Sequence, residues 1–432
     1  MIVSMLLRTI VLILVSATLV ASSLAQGPFV AARGHQFILD GRPHYFVGTN
    51  YWYGGLLGLE KDRKRGIERL RRELDFLKAN GVTNLRIMAG AEGTGLLNGV
   101  ERVGPPLQPA QGEFDESVLD GLDIVLVEMA KRKMHAVIFF SNNWEWSGGF
   151  QQYLIWNRVV PDKWLAAKPT WDELRDIVAQ FYSCEACKVG YRKQADLIVK
   201  RTNKITKTKY VDDPTIFAWE LANEPRPMRP AANEAYKKWI ADAASHIRSI
   251  DKNHLITIGH EGRIGTESLR LFEEIHAGAN IDYLTIHIWP KNWGWITGGD
   301  LKTGFANALD LSIKYIEENT TVAVRLNKPL VIEEFGLPRD AMSFDPGSPT
   351  SKRDEYYEKV LSSVRTIPHI AGANFWAFGG TARPITGQPF WKAGDERMGD
   401  PPMEEQGLNT VFDSDSSTWS IIRMASRRLR SR

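Results

Sequence analysis

The chain has 432 residues, 43% of them hydrophobic, with 54 Lys and Arg set against 51 Asp and Glu. So close a balance leaves no overall field to draw in nucleic acid or an anionic membrane, and a neutral partner fits better. The length exceeds a typical domain, yet barrels of alternating strands and helices reach it without splitting.

Residues 1–25 read MIVSMLLRTIVLILVSATLVASSLA, with Arg8 ahead of an apolar run and a Ser-Leu-Ala end. This predicts a secretory leader, followed by one catalytic domain over 26–432 and a location outside the cell, or in the periplasm of a Gram-negative bacterium. The run is short for a membrane span, and no Cys follows it to carry a lipid, so no membrane association is expected after cleavage.

After the leader, FILDGRPHYF from Phe37 alternates around Asp40-Gly41 and predicts a capping hairpin. Eight apolar runs follow: FVGTN (46–50), TNLRIMA (83–89), AVIFFSN (136–142), TIFAWELAN (215–223), LITIGH (255–260), YLTIHIW (283–289), PLVIEEFG (329–336) and ANFWAFGG (373–380). Between them lie helical spacings such as Ile67, Leu70, Leu74 and Leu77, ended by Asn80-Gly81. Val118, Leu122, Val125 and Met129 form another such face, and Tyr236, Trp239, Ile240, Ala243 and Ile247 a third. Near-continuous apolar strands alternating with helices predict an α/β fold, a closed parallel (β/α)8 TIM barrel with long loops around a cleft. No G-x-G-x-x-G follows the first strand and no Walker loop occurs, which removes the nucleotide-binding versions of an open sheet. The only cysteines, Cys184 and Cys187, lie at the start of a helical pattern, and in an exported chain a local disulfide is expected.

In such barrels chemistry collects at the carboxyl ends of the strands. That rule selects Arg86 in the second strand, Asn142 and Asn143 after the third, Asn223 and Glu224 at the end of the fourth and His287 and Trp289 in the sixth. It also selects Glu334 in the seventh and Trp376 in the eighth. Glu224 and Glu334 are 110 residues apart, about three strand-helix units, so they face each other across the mouth. Two carboxylates can there approach the roughly 5 Å separation of double-displacement glycoside hydrolysis, one protonating the leaving oxygen while the other attacks the anomeric carbon. Arg86 and His287 suit an ionised nucleophile, and the nucleophile's own charge should raise the pKa of the acid. The tandem Glu333-Glu334 leaves a choice, because neighbours on a regular strand point to opposite faces and parity alone does not say which enters the mouth. Asn223 and Glu224 raise the same problem, and both can face the cleft only if the strand end bends or bulges. The spacing of the nine His shows no metal-ligand pattern, so neither metal nor cofactor is expected. The basic end RMASRRLRSR reads as a solvated helix terminus.

The segments GTNYWY, NLRIMA, SNNWEWSGGFQQY, PTIFAWELANEPRP, IDYLTIHIWP, VIEEFG, FWAFGG and GDPPMEEQGLNTVFDSDSST, in this order, resemble glycoside hydrolases of clan A, family five. The resemblance is closest to the secreted endo-β-1,4-mannanases of that family and runs from residue 48 to near 425. It implies retaining endo-hydrolysis of β-1,4-mannosidic bonds in mannan, glucomannan or galactomannan, by a monomer, with β-mannan as the partner. A cellulase or an exo-acting mannosidase is the alternative on the same scaffold. The resemblance also implies that Glu224 is the acid/base and Glu334 the nucleophile, with Glu333 facing the helices. Arg86, Asn223, His287 and Trp376 match the supporting set, and Trp52, Asn143 and Trp289 are expected at the substrate. The sixth strand departs from the family's usual His-x-Tyr by reading His287-Ile288-Trp289, so an indole N–H is expected in place of the tyrosine hydroxyl. Trp144, Trp146, Tyr153, Trp156 and Trp391 are candidates for an open cleft built to cut within a polymer.

Overall fold

A computed structural model describes residues 28–430; the expected leader lies outside them. Eight parallel strands form one sheet: β1 (Phe46–Asn50), β2 (Asn84–Met88), β3 (His135–Phe139), β4 (Ile216–Glu220), β5 (Leu255–Thr257), β6 (Leu284–Ile288), β7 (Leu330–Phe335) and β8 (Ile370–Phe375). Their spatial order is β5-β4-β3-β2-β1-β8-β7-β6, so only the seam between β5 and β6 lacks a regular ladder. Hydrogen bonds from Asp282 N–H to the Ile256 carbonyl (2.8 Å) and from His287 N–H to the Glu261 carbonyl (3.1 Å) bridge that seam. The chain is a (β/α)8 TIM barrel, and each expected apolar run supplies one of its strands.

Burial on both faces explains why the strands are apolar throughout. Val137, Phe217, Tyr283 and Val331 fill the inside, while Leu85, Ile138, Ile286 and Ile332 pack against the helices. The helix Arg63–Ala79 shows the same logic at helical period: Asp62 caps its start, and Leu70, Leu74 and Leu77 are fully buried. Each such leucine contributes about 1.5–3 kcal/mol by leaving water. The helices Val118–Lys131 and Asn233–Ile250 bury the other two expected faces. Below the barrel, short strands Ala31–Arg33, Gln36–Leu39 and Arg42–His44 make an antiparallel sheet whose two-residue turn is Asp40-Gly41, both at positive φ. Phe37 from this cap closes the barrel floor, its ring 5.0 Å from Phe217 and 5.2 Å from Tyr283.

The strand ends above this core are irregular, and there the expectation for Glu333 is corrected. Val331 and Glu333 follow strand parity into the barrel, where Glu333 is fully buried beside Arg86 and His287. Ile286 pairs with Ile332 and His287 with Glu334, so the ladder skips Glu333. This extra residue turns Glu334 inward as well and returns Phe335 to the helices, against Tyr357. Both glutamates therefore face the interior, one above the other. At β4 the expected irregularity is present: regular pairing ends at Glu220, Asn223 bridges Asn142, and Glu224 has φ of 51°. A non-glycine residue in that left-handed region stores strain, and such strain is characteristic of functional positions.

Candidate active site

Arg86 organises the base of the site. Its Nε and Nη2 hold Glu220 at 2.8 and 2.5 Å, Nη1 donates to Glu334 and, at 3.1 Å, to the Asn50 side chain, and Nη2 also reaches Asn223 Oδ1 at 2.7 Å. The guanidinium is fully enclosed, and a charge so placed is tolerable only because every donor direction meets an acceptor. Burial works against its charge, but Glu220, Glu333 and Glu334 together hold its pKa well above the usual value. Burial in turn pushes the Glu220 carboxyl up to about 8, with Arg86 opposing and Glu333 adding to the rise.

Above Arg86, Glu224, His287 and Glu334 each bring a donor atom within 4.8 Å of the others. His287 Nδ1 lies 2.6 Å from Glu224 Oε1 and 3.2 Å from Glu334, and Nε2 lies 3.3 Å from Glu333. The other Glu224 oxygen accepts the Trp144 indole N–H at 2.5 Å, and Glu334 accepts the Trp289 indole N–H at 3.2 Å. The sixth strand thus supplies an indole donor to Glu334, as its His-x-Trp pattern led us to expect. The trio is the one cluster among the described residues with spacing suited to a metal ion. Its imidazole Nδ1 hydrogen-bonds Glu224 and pairs with Glu334.

The electrostatics reverse one expectation. Burial pushes the Glu224 carboxyl up, but the His287 hydrogen bond and charge, helped by Arg226 and Trp144, outweigh it and hold the carboxyl below its usual range. Burial disfavours a charged His287, yet Glu334, Glu224 and Glu333 win and hold the imidazole well above its ordinary value. Both directions favour the proton on His287 over Glu224. Glu334 acts on the acid mainly through this shared imidazole.

The cleft over these groups has a volume of about 480 Å³. Trp144, Trp146, Trp289 and Trp376 form its aromatic surface, and Asn223 faces it with Oδ1 given to Arg86 and Nδ2 donating one hydrogen to Asn142. The second Nδ2 hydrogen is left for a ligand. Trp52 is not on this wall: it is buried behind Trp146, and its indole N–H is used by the Gly399 carbonyl. Asn143 is also fully buried, its side-chain oxygen accepting the Arg226 N–H at 3.4 Å. Tyr153 and Trp156 pack on one another, and Trp391 donates to the Asp395 carbonyl within its own loop.

Sequence reasoning missed Glu220, Arg226 and Glu404. Glu220 had a signal, a carboxylate inside an apolar strand opposite a lone buried arginine. Arg226, clamped by Glu261 and lying over the Trp144 ring at 5.1 Å, had none at the level of pattern. Glu404 lines the cleft with Oε2 enclosed and without a partner; burial pushes its carboxyl well above the usual range, and Asp400, Glu334 and Glu224 push the same way.

A parallel barrel with two carboxylates this close across its mouth is built as a glycoside-cleaving enzyme. Residues 27–432 match the model for GH family 5 beta-mannosidase-like proteins, and the chain belongs to that family. It is similar to a glycoside hydrolase family 5 mannosidase from Rhizomucor miehei, at 32% identity and a TM-score of 0.83, over 93% of this chain and 98% of that one. A putative mannan endo-1,4-beta-mannosidase 9 of Oryza sativa subsp. japonica is 31% identical over 86% of this chain and 87% of its own. An endo-beta-1,4-mannanase from Thermotoga petrophila, 22% identical over 90% of this chain and 78% of that one, shares the fold at a TM-score of 0.68.

Proposed function

We propose that the chain hydrolyses β-1,4-mannosidic bonds in mannans with retention, Glu334 acting as nucleophile and Glu224 as acid/base. The observation that carries this reading is the approach of the two carboxylates within 4.8 Å around His287, which fits direct attack and leaves no room for the water an inverting pair needs between them. Arg86 and the Trp289 N–H donate to Glu334 and hold its carboxylate in position for attack. As the glycosidic bond breaks, charge grows on the leaving oxygen, and the proton held by His287 passes through Nδ1 to Glu224 and on to that oxygen. Glu224, now ionised, takes a proton from water, which attacks the glycosyl-enzyme and frees Glu334. The open Asn223 Nδ2 hydrogen suits the axial 2-hydroxyl that distinguishes mannose from glucose.

The names of the relatives support mannan as substrate. Export fits the leader-like first 25 residues and the Cys184–Cys187 disulfide, and a site completed within one chain suits a monomer. A second reading, exo-attack at chain ends, is favoured by the segment around Met403 and Glu404, which lines one flank of the cleft and is tied to the loop after β6 by Lys291 and Glu405 at 2.7 Å. Product analysis on mannan, glucomannan and carboxymethylcellulose separates the readings. Mixed oligosaccharides from the first two support endo-cleavage, mannose alone replaces it with exo-cleavage, and release from carboxymethylcellulose only would overturn mannan as substrate.

A further inference from the structure

Glu333 is fully buried beneath the cleft, where no substrate reaches it. Three observations give it a task there. First, the bulge in β7 supplies one carboxylate to each side of the His287 ring. In a regular ladder Ile286 beside Ile332 would be followed by His287 beside Glu333, with Glu334 turned to the helices; the skipped position brings Glu334 in and leaves Glu333 below it. Nδ1 then faces Glu224 at 2.6 Å and Glu334 at 3.2 Å, while Nε2 faces Glu333 Oε2 at 3.3 Å. Second, His287 is the only hydrogen-bond partner of the Glu333 side chain among the described residues. Oε1 is enclosed and has none, and Arg86 Nε stands 3.7 Å from Oε2 with its hydrogen already given to Glu220 at 2.8 Å. The backbone holds the residue in place, its carbonyl accepting the Asn50 Nδ2–H at 2.9 Å. A buried carboxyl with so few partners is costly and calls for a reason beyond stability. Third, a ring that passes a proton at Nδ1 must keep its other proton on Nε2, and the acceptor at Nε2 decides this. Of the other charged or titratable groups around the ring, Glu224 and Glu334 meet Nδ1, Glu220 gives both oxygens to Arg86, Glu261 gives both to Arg226, and His260 accepts the Gly262 N–H. Glu333 alone serves Nε2.

We propose that Glu333 is the positioning residue of the acid/base: it holds the Nε2 proton of His287, so that Nδ1 is left to give a proton to Glu224 and to take one back. This role rests on the retaining reading and deepens it. During glycosylation the bond from Glu334 to the anomeric carbon forms, the glycosidic bond breaks with its electron pair on the departing oxygen, and that oxygen takes the Nδ1 proton by way of Glu224. His287 is then neutral, its remaining proton on Nε2 against Glu333. Water next forms its bond to the anomeric carbon as the bond to Glu334 breaks, and its proton returns through Glu224 to Nδ1.

The test compares the wild type with Glu333→Gln and Glu333→Leu, both close to glutamate in size. The ¹⁵N signals of the His287 ring, assigned by their absence from His287→Asn, should show Nε2 carrying a proton across the active pH range in the wild type and losing it in Glu333→Leu. The basic limb of kcat/KM on mannohexaose should move to lower pH in both variants, because the Glu333 hydrogen bond helps to hold the imidazole above its ordinary value. In Glu333→Leu, kcat/KM on mannohexaose should fall about 10- to 100-fold, while glycosylation by a dinitrophenyl mannoside, read as a pre-steady-state burst, stays within about threefold. A purely structural role would depress both substrates alike. The wild-type spectrum and Glu333→Gln decide even where Glu333→Leu does not fold. A bare Nε2 in the wild type, a basic limb unmoved in both variants, or equal loss on the two substrates overturns this role. Release of the α-anomer first by the wild type would instead overturn the retaining reading on which it rests.

Discussion

His287 Nδ1 lies 2.6 Å from Glu224 Oε1, so one proton is shared between an imidazole on the sixth strand and a carboxylate beyond the end of the fourth. The direction of both pKa shifts favours that proton on His287. Glu224 then acts as an acid only through its neighbour, and the basic limb of activity reports the pair rather than the glutamate.

His287→Asn should move the basic limb of kcat/KM on an aryl β-mannoside to lower pH, because Glu224 must then hold the proton alone. Stability shifts too. The raised His287 contributes below its unfolded value and loses that contribution as pH rises through its folded value. The lowered Glu224 contributes above its unfolded value and loses it as pH falls through its folded one. The pair thus contributes fully between about pH 4.3 and 6.5, where the Tm gap between wild type and variant should be widest. A gap flat across pH would contradict the ion pair.

Glu334→Ala should abolish turnover while the fold survives. Added azide should enter the vacated face and give a glycosyl azide of inverted configuration from an activated aryl mannoside, detected by NMR. Wild-type-like activity in this variant would remove Glu334 from the mechanism.

Glu224→Ala should lose about 10²–10⁴-fold on mannan, the usual contribution of general acid catalysis. Glycosylation by a dinitrophenyl mannoside, whose leaving group needs no proton, should be far less affected in pre-steady-state kinetics. Equal loss on both substrates counts against Glu224 as the acid.

Arg86→Met removes the one guanidinium set among Glu220, Glu333 and Glu334. Leaving buried carboxylates without their cation should cost about 3–5 kcal/mol in chemical denaturation. A loss below about 1 kcal/mol would contradict Arg86 as the cation that holds this buried cluster together.

The barrel was legible because burial on both faces forces continuous apolar strands, and FAWELAN or LVIEEF can be recognised without any neighbour. The pairing of Glu224 with Glu334 was legible from strand count. What was not legible came from departures of the chain from regular geometry. The resemblance implied that Glu333 faces the helices, but Glu333 follows strand parity into the barrel beneath His287, and the skipped ladder position turns Glu334 inward as well. Trp52 was expected at the substrate and Tyr153 in the cleft, whereas both are core, since residue type and segment do not say which way a loop side chain turns. Arg226 and Glu404 reach the site from loops, where no period orders the side chains.

The most direct measurement is time-resolved ¹H NMR of the first product formed from mannan, before mutarotation. Attack by Glu334 followed by water activated by Glu224 gives the β-anomer first. Initial appearance of the α-anomer would mean a single inverting displacement, and the two glutamates would not be a nucleophile and its acid/base partner.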